Sequence, residues 1–164
     1  MKTVFIDRDG VINRRLVGDW VKKWEEFDML PGVPEAIGKL KEAGFCCILI
    51  TNQRGIALNL FSLEGLAEVH NKMNEKLKAE GSGEFDDIFI CPHDRHENCN
   101  CRKPKPGLFF QATEKYPDIE LKDTVMFGDK DTDREASEAA GCGAFYLIDD
   151  EVSLLDRVKE FLDQ

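Results

Sequence analysis

No stretch of this 164-residue chain is apolar for long enough to cross a membrane. The N-terminal MKTVFIDRDG breaks its apolar run too early for the core of a secretory signal. Basic residues are outnumbered, 22 Lys and Arg against 32 Asp and Glu, and the net charge of −10 excludes the basic face that general nucleic-acid binding requires. Internal repeats, low-complexity tracts and a composition break that would mark a linker are all missing. One domain spanning residues 1–164 is therefore expected, in a monomer with no nucleic-acid or membrane partner. The expected compartment is the cytosol, whose reducing poise disfavours structural disulfides, so the six cysteines call for another explanation.

What is present alternates. TVFID, FCCILI, DDIFI, TVMF and AFYLI are short apolar runs of the kind that form strands buried on both faces. Helical periodicity separates them. Val33, Ala36, Ile37 and Leu40 share one face of a segment stopped by Gly44. Ser62 is placed to cap a helix with Leu63, Leu66, Ala67, Val69, Met73 and Leu77 inward. Gly107–Tyr116 ends at Pro117. Thr132 and Glu135 have capping-box spacing, and a last amphipathic helix starts near Ser153. The predicted fold class is α/β: a three-layer, Rossmann-like parallel sheet covered by helices on both faces.

In such sheets ligands gather at the carboxyl ends of the strands. Here those ends read DRDG, TNQRG, CPH and GDKDTD. An isolated aspartate there is more often a turn or cap residue. Asp7, Asp9 and Asp129 converging from separate strands are different, because carboxylates brought together repel and need a cation. Hard oxygen ligands suit Mg²⁺, which also touches substrate phosphate.

Four stretches, FIDRDGVIN, LITNQRGIA, CRKPKPG and FGDKDTD, resemble the ordered motifs of the haloacid dehalogenase superfamily of phosphatases. The likeness runs from Val4 to Gly143. It is greatest to the small-capped branch of D-glycero-D-manno-heptose-1,7-bisphosphate phosphatases and histidinol-phosphatases. The resemblance implies that Asp7 is the nucleophile, forming an aspartyl-phosphate. It implies that Asp9 is the acid and then the base. Asp7, the Asp9 carbonyl and Asp129 would hold Mg²⁺, with Asp133 a supporting acid nearby. Thr51 and the amide of Asn52 would bind phosphoryl oxygens, and Lys103 would tie Asp7 to the phosphate in the transition state. Gly10 would allow the turn behind the catalytic pair. Arg54, Arg102 and Lys130 are candidate substrate contacts, whereas Lys105 reads better as a solvated surface charge.

CPHDRHENCNCRKPKPG, residues 91–107, holds three cysteines and two histidines. Cys91, His93, Cys99 and Cys101 give C-x-H-x5-C-x-C, the donor set of a closed tetrahedral Zn²⁺ site. His96 is a competing ligand by sequence, and His93 is the one that matches the family position. Four protein ligands leave no open position, so the zinc loop (91–101) is expected to be structural and to hold Arg102 and Lys103 in place. Cys46 and Cys47 lie in an apolar strand and read as core packing. The motif intervals leave no room for a separate cap, so a minimal cap is expected. Residues 14–30, with Trp20 and Trp24, could be either a wall over the substrate or a surface loop packed on the domain.

The resemblance implies removal of the 7-phosphate of D-glycero-D-manno-heptose 1,7-bisphosphate, with histidinol phosphate as the alternative substrate. NQRGIA and GDK resemble the heptose branch. Leu58 stands where that branch usually has Arg, so Arg54 or Arg102 would have to grip the second phosphate. A phospho-receiver signalling domain is the alternative from a different class. Against it, the third strand ends in Cys91 where a receiver has its phosphorylated Asp, and Asp9 adds an acid–base that receivers lack.

Overall fold

A computed structural model describes residues 1–164. Five parallel strands form one sheet: β1 (Thr3–Ile6), β2 (Cys46–Asn52), β3 (Asp87–Cys91), β4 (Val125–Gly128) and β5 (Ala144–Leu147), in the order β3-β2-β1-β4-β5. Five helices connect and cover them: α1 (Val33–Glu42), α2 (Leu63–Ala79), α3 (Gly107–Lys115), α4 (Asp131–Ala140) and α5 (Leu154–Leu162). The period of two along each strand sorts side chains to two buried layers. Val4, Ile6, Leu49 and Phe127 pack with α1, α2 and α5 on one face. Phe5, Ile48, Ile50 and Met126 pack with α3 and α4 on the other. The sheet is thus buried on both faces, which is why its strands are apolar without interruption.

The predicted elements are all present, with two local corrections. On α2, Ser62 caps as expected, its Oγ accepting from Gly65 N at 3.0 Å. Leu63, however, is 55% exposed and Ala67 is exposed too, while His70 is buried on the inner face. Leu63 falls in the first turn, where its neighbour Glu64 is exposed too, and the buried face begins at Leu66. On α4 the start is not Thr132 with Glu135. The helix begins two residues earlier, with Lys130 as the N-cap and Asp131 as the first helical residue, and the Asp133 carboxylate accepts from the backbone N–H of Lys130 and of Asp129, each at 3.2 Å.

Register brings the strand ends to one rim. Ile6 lies opposite Leu49 and Phe127, and Asn52 opposite Cys91. Asp7 N donates to Phe127 O at 3.0 Å, and Gln53 N to Cys91 O at 2.8 Å, so the first residues past β1 and β2 are still tied to the sheet. Residues 14–30 have no regular structure beyond a 3₁₀ turn at Trp24–Glu26 and an isolated antiparallel bridge from Met29 to Asn13. Trp24 stacks on Phe27 at 5.0 Å and packs on the core, whereas Trp20 faces the rim beside Leu16 and Val21.

Candidate active site

The rim opens as a cleft of about 740 Å³. Asp7, Asp9, Thr51 and Lys103 form its floor, Leu16, Trp20 and Val21 one wall. Arg54, Arg95, Arg102, Lys105 and Lys130 line the remainder. Acidic overall, the chain is therefore basic where it is concave.

Lys103 is the centre of the floor. Its side chain is buried, and Nζ donates to Asp7 Oδ1 at 2.8 Å and to Ile50 O at 3.2 Å, and pairs with Asp133 Oδ1 at 2.6 Å. Burial alone would discharge the ammonium. Asp7 and Asp133 outweigh burial and hold its pKa above the ordinary lysine value. Asp7 titrates upward instead: burial penalises its charge, Asp133 and Asp129 repel it, and one ammonium shared between two carboxylates does not compensate.

Asn52 holds Lys103 by its backbone. Asn52 Nδ2 donates to Lys103 O, and Lys103 N donates to Asn52 Oδ1, each at 3.1 Å. The Asn52 side chain thus spends its hydrogen bonds on the lysine segment, fixing the end of β2 to the loop after Cys101. Thr51 is buried, and its Oγ1 accepts from Gln53 Nε2 at 2.9 Å.

Asp9 is gripped on both oxygens. Oδ1 accepts from Arg8 Nη2 at 2.8 Å and Asn13 Nδ2 at 3.0 Å, and Oδ2 from Gln53 Nε2 at 3.0 Å. Burial opposes its charge, but the Arg8 guanidinium and these donors hold its pKa below the ordinary value. Gly10 comes next with φ +86°, and a Cβ there would overlap the Asp129 carboxylate.

Carboxyl oxygens of Asp7, Asp129 and Asp133 lie within 4.8 Å of one another. Asp129 Oδ1 is buried with no hydrogen-bond partner. Arg15 Nη2 donates to Asp129 Oδ2 at 2.6 Å and to the Asp9 carbonyl at 3.2 Å. An orphaned carboxylate oxygen, and a carbonyl and carboxylate that already share one cationic group, are the donors a hard divalent cation takes. The residues present fit Mg²⁺.

The second cluster lies at the end of β3. His93 Nδ1 is 3.4 Å from Cys91 Sγ and 3.2 Å from Cys101 Sγ, and Cys91 Sγ is 3.7 Å from Cys99 Sγ. A tetrahedron with Zn–S of about 2.3 Å separates its sulfurs by about 3.8 Å, so the spacing fits zinc. It does not fit a disulfide, whose sulfurs are about 2.05 Å apart, and all six cysteines are free thiols. His96 is exposed and outside the set. Although burial opposes it, the N–H groups of Arg102 and Cys101 hold the Cys99 thiol down to about 7. The loop is packed against α3: Gly107 N donates to Asn100 O at 3.0 Å, and a Cβ on Gly107 would overlap that carbonyl.

Among the predicted substrate contacts, Arg54 is engaged by Asp94 Oδ1 at 2.6 Å. Arg102 keeps Nη1 buried without a partner, and burial, then Arg95 and Arg54, lower its pKa. Lys130 lines the cleft. Lys105 is not merely solvated: it lines the cleft and donates to Cys99 O at 2.6 Å. Cys47 is core, while Cys46 is only half-buried at the strand's start. The sequence reading passed over Arg8, Asn13, Arg15, Gln53 and His70. Arg8 and Gln53 lie inside the DRDG and TNQRG strand ends and Asn13 inside FIDRDGVIN, whereas Arg15 and His70 fall outside every quoted stretch.

Fold and site together define a hydrolase of the parallel α/β class. The chain belongs to the haloacid dehalogenase-like hydrolases, whose family profile matches residues 13–141. It is 38% identical over 143 residues to a D-glycero-alpha-D-manno-heptose-1,7-bisphosphate 7-phosphatase of Mycobacterium bovis, covering 86% of this chain and 75% of the relative. It is 40% identical over 152 residues to a D-glycero-beta-D-manno-heptose-1,7-bisphosphate 7-phosphatase of Vibrio cholerae, covering 88% and 80%. The crystal structure of the D,D-heptose 1,7-bisphosphate phosphatase of B. bronchiseptica, complexed with magnesium and phosphate, superposes with a TM-score of 0.89 over 99% of both chains at 33% identity. Membership in a hydrolase family removes the signalling-receiver alternative.

Proposed function

We propose that this chain, as one domain over residues 1–164, hydrolyses the 7-phosphate of D-glycero-D-manno-heptose 1,7-bisphosphate. The observation that carries the reading is Lys103 Nζ on Asp7 Oδ1 at 2.8 Å, with Asp9 two residues away on the same cleft floor. The Asp7 carboxylate attacks phosphorus, and the bond from phosphorus to the C7 oxygen breaks. Asp9 gives that oxygen a proton, because a free alkoxide is a poor leaving group. Water then attacks the aspartyl-phosphate while Asp9 takes back a proton, and inorganic phosphate leaves. The low pKa of Asp9 suits its second role, and an incoming phosphate dianion raises it for the first. Lys103, with Thr51 and the backbone at Asn52, holds the phosphoryl oxygens. Asp7, Asp129 and the Asp9 carbonyl would hold Mg²⁺, beside Asp133, and the ion when bound neutralises charge between carboxylate and phosphate.

The substrate assignment draws on relatives of both anomer names, which share the 7-phosphate. Arg102 supports it: a half-buried guanidinium beside Arg95, with Nη1 buried and unpartnered, suits a second phosphate, and Arg54 is already engaged by Asp94. The cysteine loop is read as a structural Zn²⁺ site that fixes Arg102 and Lys103, a reading that also suits a reducing, cytosolic compartment. The test compares kcat/KM for heptose 1,7-bisphosphate, fructose 1,6-bisphosphate and histidinol phosphate. The heptose should win and should yield heptose 1-phosphate. A clear win for histidinol phosphate would overturn the substrate and leave the mechanism standing.

A further inference from the structure

Arg8 is a fully buried arginine, an expensive residue to place in a core unless something uses it. It lies between the general acid–base and helix α2. Its Nη2 donates to Asp9 Oδ1 at 2.8 Å, and its Nη1 is 3.1 Å from His70 Nε2. Phe27 lies 5.9 Å below its guanidinium carbon. His70 is 5% exposed, the one ionisable side chain among the buried residues of α2. Arginine has only donors, so His70 Nε2 accepts, and the ring is neutral with its proton on Nδ1. Burial and then the Arg8 charge push the His70 pKa down to about 3, consistent with that tautomer.

The two oxygens of Asp9 are consequently unlike. Oδ1 accepts from a guanidinium and from Asn13, while Oδ2 accepts only from the neutral Gln53 amide. A proton resides on the oxygen with fewer and weaker donors. We propose that Arg8 and His70 are positioning residues: His70, through Arg8, fixes Asp9 Oδ1 so that Oδ2 is the oxygen presented for proton transfer. This rests on the reading of Asp9 as the acid that protonates the leaving oxygen. It adds that the orientation is set from α2, by a residue outside every motif.

The test uses leaving-group dependence, which a merely structural role would not move. An alkyl phosphate needs the acid, and p-nitrophenyl phosphate, whose leaving group is stable as an anion, does not. The quantity compared is kcat/KM, which covers the steps through cleavage of the ester bond. In the full-length enzyme, Asp9→Asn and His70→Leu should each lower the value for the alkyl ester by about 30-fold or more, and that for the aryl ester by less than about 3-fold. His70→Gln, which keeps an acceptor for Arg8, should recover most of the loss. Should His70→Leu fail to fold, Arg8→Met combined with His70→Leu removes the buried charge at similar volume and should show the same selective loss. Equal losses on both esters, or none, in a folded variant would overturn the proposal while Asp9→Asn remains selective. So would a His70→Gln that falls as far as His70→Leu. An unselective Asp9→Asn would overturn the acid reading itself, and this proposal with it.

Discussion

The molecule holds two clusters of metal-ligand type, and they are built in opposite ways. Asp7, Asp129 and Asp133 come from the ends of β1 and β4 and the start of α4, and are carried by the sheet. Cys91, His93, Cys99 and Cys101 come from one loop that contains no helix or strand beyond Cys91. Asp7 and Asp133 line the cleft and share one buried ammonium, while Asp129 pairs with Arg15 and keeps one oxygen unpartnered. The thiols and imidazole meet one another at the spacing of a closed tetrahedron. The first arrangement leaves electrostatic demand to be met by ligand and substrate. The second completes itself, and it reaches the cleft through chain continuity with Arg102 and Lys103, the two residues after Cys101. On the proposed function, chemistry belongs to the open cluster and alignment to the closed one.

Mutation should separate the two. The largest effect belongs to the open cluster: Asp7→Asn should lower kcat by about 10⁴-fold or more, with folding intact by circular dichroism. Asp129→Ala should weaken the restoration of activity by Mg²⁺ after exhaustive chelation, as seen in the Mg²⁺ concentration for half-maximal rate. The closed cluster should act indirectly. Cys99→Ser or Cys101→Ser should cut the zinc equivalents found by elemental analysis and lower kcat by about 10²-fold, the cost of misplacing a catalytic group by about 1 Å. A Cys99→Ser enzyme with full activity and no zinc would break the comparison. The smallest effect sharpens it at the joint: Asn52→Ala removes both bonds to the Lys103 backbone and should cost about 1–3 kcal/mol in denaturant unfolding, with a smaller loss of kcat than the cysteine variants.

Much of this was legible in the chain. Uninterrupted apolar runs give away a sheet buried on both faces, and DRDG, TNQRG and GDKDTD sit where those runs stop. The C-x-H-x5-C-x-C spacing was equally plain, because its donors are close in sequence. What escaped were partners set by tertiary approach. His70 looks like one more residue of an amphipathic helix, and nothing in its neighbours says that Arg8 will lie against it. Arg15 gives no local sign that it will bridge Asp9 and Asp129. The start of α4 was misplaced because Asp133 does two jobs, receiving the helix's first N–H groups and pairing with Lys103. Local capping rules weigh only the first. Trp20 and Trp24 have similar surroundings in sequence, yet one faces the cleft and the other stacks on Phe27.

Nucleophilic attack by Asp7 is the central claim, and the covalent adduct tests it most directly. The Asp9→Asn enzyme, slowed in hydrolysing its intermediate, should be mixed with an aryl phosphate and quenched in acid within one turnover. Peptide mass spectrometry should then find one added phosphoryl group on the peptide that begins at Met1, assigned to Asp7, and none when Asp7→Asn is combined with Asp9→Asn. A phosphoryl group on any other residue, or a burst of released phenol with no phosphorylated peptide, would contradict it.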